Sequence, residues 1–351
     1  MIEAETAWHK SDCNNILNTK RTVPKKDVFA MNPDKEVFLS YIRSGETLMA
    51  DSTVYTITEK HRVYDLYFCF EKKPPSRKKM ETMLKFIHHW IYLADPFSQT
   101  TCSNKINVFF FLTGLKKKMP SSSSDIINTE HANTAVTRGC VAHNNNITVY
   151  RKEEWFKVFM HETFHALGLD FCTLDQSRVD RQLKHIFPVT QNMAEIRYYE
   201  AYTEVWAELM NILFLVFSAG IREKKEFVES VQQVLSFEIS FSLYQGIKVL
   251  RHYGIDFAEI YHQNHQKKYR QLNSCTFSYY VLKTVLLSNI SAFLEFCGDR
   301  VFAFEKTDPN LDAFVRLVKN HKVNASMLRE ARSIHLPLDT LRMTAFDAID
   351  Y

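Results

Sequence analysis

Residues 53–70 carry β-branched and aromatic side chains in two blocks, TVYTITEK and VYDLYFCF, and this pattern predicts two neighbouring strands ended by Lys72-Lys-Pro-Pro75. From Arg77 the apolar residues Met80, Met83, Leu84, Ile87 and Ile91 recur at helical spacing, which predicts a helix running to about Asp95-Pro96. The run 106–112, INVFFFL, bounded by Gly114, has the continuous apolar character of a strand buried on both faces. A lysine- and serine-rich loop follows, then two short strands at 132–138 and 147–151 around Asn144-Asn-Asn146. A helix is predicted from Lys152, with Glu153 and Glu154 complementing its dipole and Gly168 supplying a left-handed C-terminal residue. Beyond about Met193 the pattern turns almost wholly helical, with long helices over 196–219, 224–252 and 278–296. Residues 1–45 show no sustained period and read as a partly ordered arm. The fold class is therefore α+β: a single domain over 46–351, with a strand-containing lobe at about 46–170 and a helical lobe at about 190–351.

With 351 residues, 46% of them apolar and 24% charged, the chain can bury a substantial core, and wholesale disorder is excluded. The formal net charge of +4 is too small for a dedicated nucleic-acid or membrane-surface protein. Arg77-Lys-Lys79 and Lys116-Lys-Lys118 read as solvated clusters, so there is no strong nucleic-acid signal. The first residues lack the basic and apolar regions of a secretory signal. The longest uncharged apolar stretch, 209–221, has 13 residues, whereas a spanning helix needs ~20. Seven cysteines (Cys13, Cys69, Cys102, Cys140, Cys172, Cys275 and Cys297) lie far apart without a CxxC. They suit a reducing compartment, with neither a disulfide frame nor a cysteine-rich zinc site. The expectation is an intracellular, cytoplasmic protein without a membrane span. The glycosylation patterns at Asn146, Asn289 and Asn324 are discounted accordingly.

The chemistry concentrates in His161-Glu162-Thr-Phe-His165. On a helix the two imidazoles project about 40° apart, one turn from each other, so one cation can reach both. Glu162 stands about 100° round from His161, where a carboxylate can activate a water without filling a coordination position. Composition alone predicts roughly 0.04 chance occurrences of HExxH in such a chain. A catalytic zinc wants a third protein ligand and an open position. Gly168 fits the HExxHxxGxxH/D spacing, but position 171 is Phe; Asp170, one residue early, is an alternative ligand. The better candidates lie in YYEAYTEVWAE, where Glu200, Glu204 and Glu208 recur every fourth residue along one helix face, flanked by Val205, Trp206, Leu209 and Ile212. Buried carboxylates need a counter-charge, which zinc can supply.

On these residues the chain resembles the gluzincin-type metallopeptidases, in which HExxH is followed by a ligand Glu on a second helix. The blocks INVFFFLTGLKKKMP, YRKEEWFKVFMHETFHALGLDF and YTEVWAELMN resemble, more narrowly, uncharacterised metallopeptidases of large DNA viruses, which would place the chain in an infected cell or a virion. The resemblance implies a zincin-like fold, with a mixed sheet and the active-site helix in the N-terminal lobe. It implies Zn2+ bound by His161, His165 and Glu204, with Glu200 the alternative, Glu208 supporting an imidazole, and Glu162 as general base. Glu204 follows His165 by 39 residues, longer than in compact members. The implied partner is a peptide or protein substrate in an active-site cleft, paired against an edge strand at 132–138 or 147–151. An oxyanion donor is expected among Tyr198, Tyr202, His252, Tyr261, His262, His265, Tyr279 and Tyr280. His262 and His265, three apart, could also chelate an ion. Two rivals are an inactive zincin-fold structural or virion protein, which would cleave nothing, and a nucleic-acid-associated protein in which HExxH is accidental.

Overall fold

The computed structural model describes residues 10–32, 51–71, 73–262, 268–298, 301–302, 304–333 and 339–349. The chain divides into two compact units. One comprises Met1–Leu115, Thr134–Leu169 and Ile349–Tyr351, and the other Lys116–Asn133 and Asp170–Ala348. The first holds a six-stranded mixed sheet and the second is helical, so the molecule is α+β.

In the sheet unit, α1 (Lys10–Asn18), β1 (Arg21–Val23) and α2 (Lys25–Met31) precede β2 (Ser52–Glu59) and β3 (Arg62–Phe70). The helix α3 (Arg77–Ala94) follows, its first turn capped by the Ser76 hydroxyl accepting from the Lys79 amide at 3.3 Å. Then come β4 (Lys105–Leu112), β5 (Ala135–Thr137) and β6 (Asn145–Val149). The order is β1-β2-β3-β4-β6-β5, parallel for β3–β4 and β4–β6 and antiparallel elsewhere. Of the two predicted candidates for a substrate-pairing edge, β5 is the edge and β6 lies inside the sheet.

The apolar run of β4 is buried because it lies between two parallel neighbours and is covered on both faces. Phe110 stacks on Phe68 at 4.8 Å on one face. Phe109 stacks on Tyr67 at 4.8 Å, and Phe111 on Phe29 at 5.2 Å, on the other. That second face is closed by Val28 and Phe29 of α2. Part of the segment expected to be an arm therefore contributes a strand and a core helix. Three- and seven-residue elements are too short to display a period. Residues 1–9 and 33–50 of that segment lie outside the described residues.

The cysteine expectation also needs correction, since Cys102 and Cys140 form a disulfide across a sequence separation of 38. Parallel pairing explains it: β4 and β6 start side by side, and these cysteines sit just before the two starts. The Ser103 amide donates to the Val141 carbonyl there at 2.7 Å.

The helix α4 (Trp155–Ala166) carries HExxH and begins three residues later than expected. At residue 152 the amide still pairs with the Thr113 carbonyl, and Glu154 takes a left-handed φ of 57° before the first turn. Its end follows the expectation: Gly168 has φ +67°, the Leu169 amide reaches the Phe164 carbonyl, and the Gly168 amide reaches that of His165. These two bonds make a Schellman closure.

The helical unit contains α5 (Ser177–Ile186), α6 (Tyr198–Ser218), α7 (Lys224–His252), α8 (Lys283–Leu287), α9 (Ile290–Cys297), α10 (Asp308–Asn320) and α11 (Ala325–Ser333). The single helix predicted over 278–296 is instead a π-helical stretch at Phe277–Leu282 running into α8, then α9, with a bend of 92° between Leu287 and Ile290. Asn289 makes the break, its side-chain amide donating to the Val285 carbonyl at 2.8 Å in competition with the helix ladder. Residues 339–348 cross this unit as an extended strap read by buried side chains. Tyr280 and Lys283 donate to the carbonyls of Leu341 and Met343, while the Glu238 carboxylate accepts from the Ala345 and Phe346 amides. Among the described residues no single helix is long and apolar enough to cross a membrane.

Candidate metal centre

The helix α4 is fixed from its apolar side. Trp155 and Phe159 meet Phe110 of β4, each with ring centroids 5.5 Å apart. Phe164 stacks on Trp90 of α3, and the Trp90 indole donates to the Thr163 hydroxyl at 2.6 Å. These anchors set the rotation of α4 and so the direction in which His161, Glu162 and His165 project. All twelve residues of the helix are buried. The histidine sector is buried with the rest: His161, Glu162 and His165 are only 4%, 8% and 6% exposed.

The two imidazoles converge, with Nε2 of His161 and Nε2 of His165 3.1 Å apart and the rings inclined at 77°. Two nitrogens bound to one tetrahedral zinc at 2.0–2.1 Å would be separated by about 3.3 Å. The same separation also allows one ring to donate to the other. Zinc held through both Nε2 atoms requires each ring as its Nδ1–H tautomer, which leaves both Nε2 lone pairs free for the metal.

In the helical unit, α6 presents Glu200, Glu204 and Glu208 on one face, and all three are buried. Leaving three carboxylates out of water is costly unless charge or hydrogen bonds compensate. For Glu208 the counter-charge is Lys283, whose Nζ lies 3.4 Å from the carboxylate with both side chains 1% exposed. Glu200 accepts from the Tyr279 hydroxyl at 3.2 Å. Glu204, one turn from each, is 2% exposed. Asp170 is fully buried just beyond Gly168, and its carboxylate accepts the Cys172 amide at 3.2 Å.

The candidate oxyanion donors separate clearly. Tyr280 is committed to the strap carbonyl of Leu341 at 2.5 Å and His252 to that of Asp125 at 2.7 Å. Tyr198 and Tyr202 pack into an aromatic cluster around Phe171, and burial raises both phenols. Tyr261 packs on Phe187, its phenol also raised by burial. Tyr279 is the candidate in contact with the carboxylate row. His265 lies outside the described residues, and with it the suggested His262–His265 pair.

Two cationic residues escaped the sequence reading. Lys283 is a lone charge inside the apolar run FSYYVLKTVLL, a pattern that signals a buried partner. Arg197, just ahead of α6, pairs with Glu195 and hydrogen-bonds Cys275. Thiol chemistry offers no rival centre at Cys69 or Cys297, where burial pushes each thiol up to about 12.

A 212-residue stretch, 59% of the chain, is 25% identical to an uncharacterised protein of Acanthamoeba polyphaga mimivirus. The match covers 51% of that protein, so the chain spans about half the length of this relative. The viral source of the relative agrees with the viral resemblance, and its name assigns no activity. No family model matches the chain, and no solved structure matches it.

Proposed function

We propose that the chain is a zinc-dependent metallopeptidase of the zincin type that hydrolyses a peptide or isopeptide bond. The observation that carries this reading is the 3.1 Å approach of His161 Nε2 to His165 Nε2 on a helix that also bears Glu162. A helix packed on a mixed sheet is the setting that a zincin fold requires. The third ligand in this reading is Glu204, with Glu200 one turn earlier as the alternative and Asp170 behind both. Glu208, already balanced by Lys283, serves as a support for the row.

Zinc, when bound, would lower the pKa of a water to about 7 and polarise the scissile carbonyl. Glu162 would accept the proton of the attacking water and pass it to the leaving amine, which balances the hydrolysis. Its burial keeps the carboxylate out of competing solvent. Tyr279 is the proposed donor to the developing oxyanion, because its hydroxyl is already turned toward the carboxylate helix. An extended peptide would pair with the outer edge of β5.

Glu162→Gln tests the reading directly. It should retain zinc yet lose hydrolysis by about 10²–10⁴-fold, the usual worth of a general base. Unchanged turnover against a peptide library would refute it.

A further inference from the structure

Between α5 and α10, within the helical unit, lies a groove of about 750 Å³. Its walls carry Arg178, Arg181, His185, Arg316 and Lys319, against one carboxylate, Asp312. The lining positions on α5 (178, 181, 182, 185 and 186) and on α10 (312, 315, 316 and 319) each follow helical spacing. Each helix thus contributes one continuous face.

The charges are not all spent internally. Arg178 is paired with Asp312 and reaches Asp308 at 3.5 Å. Hydrogen bonds from Ser177 hold the Asp175 carboxyl below the ordinary range, and Arg181 and Arg178 add smaller contributions. Among the described residues, none forms an ion pair with Arg181, Arg316 or Lys319, and all three are exposed. Three exposed cations without an ion pair among the described residues therefore flank a concave surface.

We propose that this groove binds the phosphate backbone of duplex nucleic acid. The ten residues of α5 extend ~15 Å, which spans about four phosphates of one strand at 3.4 Å each along the axis. No Phe, Tyr or Trp lines the groove, so the His185 imidazole is the one ring on which an unstacked base of a single strand could stack. Ile186 and Val315 are its two apolar residues, too few to anchor an acidic peptide through a buried hot spot. What the groove offers is positive charge on both of its walls, which positions a backbone without reading sequence. The inference is independent of the metallopeptidase reading, because neither helix bears a proposed metal ligand.

The test is fluorescence anisotropy of the full-length protein with a labelled 20-base-pair duplex (~20), its single strand and polyglutamate, at several salt concentrations. Neutralising about three phosphates predicts a slope near −2.7 in log affinity against log salt, or a loss of about 40-fold between 50 and 200 mM. The triple variant R181E/R316E/K319E should weaken duplex binding by at least about tenfold at 100 mM salt. Its thermal unfolding should match the parent, since all three side chains are exposed. Duplex binding that the triple variant leaves intact would overturn the proposal. So would absence of binding at 50 mM salt, or tighter binding of the single strand or of polyglutamate, the last pointing to an acidic protein partner instead.

Discussion

At the scale of single residues, the proposed centre separates metal holding from proton handling. His161→Ala and His165→Ala should each abolish stoichiometric zinc retention, because one imidazole with one carboxylate leaves too few protein ligands. Within the carboxylate row, loss of zinc is expected from Glu204→Gln or from Glu200→Gln, whichever residue is the ligand, and Glu208→Gln should keep it. Metal analysis after gel filtration decides among them, and a zinc-free Glu208→Gln with both others loaded would move the assignment to Glu208. Lys283 gives a stability test. Lys283→Met removes a buried counter-charge of Glu208 and should cost about 3–5 kcal/mol in urea unfolding. Adding Glu208→Leu should restore much of that loss; no recovery would mean that Lys283 matters chiefly to the Met343 carbonyl. The HExxH residues were legible in the sequence because their spacing is local. Lys283 was not paired with Glu208 because the partners lie 75 residues apart.

At the scale of elements, the end of α4 is where sequence and geometry agree most closely. Gly168 was expected to be left-handed, and it is. A Cβ there would also lie 2.9 Å from Cys102 Sγ, which the disulfide holds in place. Gly168→Ala should therefore destabilise the protein by about 2 kcal/mol or more, measured by chemical denaturation. A change below half a unit of kcal/mol, roughly the scale of a neutral surface substitution, would contradict the close approach. Long elements with strong periodicity, such as α3, α6 and β4, were readable from pattern alone. The break at Asn289 was not, because its cause is a side-chain hydrogen bond inside an otherwise apolar helical run. β1 and α2 were missed for a different reason, being too short for any period to register. The groove between α5 and α10 was hidden for another reason: its cations belong to helices some 130 residues apart in the chain, and only their packing brings them to one concave surface.

At the scale of the whole molecule, the hydrophobic pattern predicted an α+β chain and composition a large core, and the structure agrees. It did not reveal that Cys102 and Cys140 meet, since their meeting depends on the parallel register of β4 and β6. Closing a loop across 38 residues should contribute about 4 kcal/mol. Cys102→Ser with Cys140→Ser should lower the unfolding midpoint correspondingly under oxidising conditions, and both forms should converge in reductant. The central claim, however, is the metal. Zinc content of the purified full-length protein, measured by mass spectrometry beside the His161→Ala variant, tests it most directly. The account predicts close to one zinc per chain in the parent and a near-complete loss in the variant; a parent without zinc, or a variant that keeps it, would contradict the account.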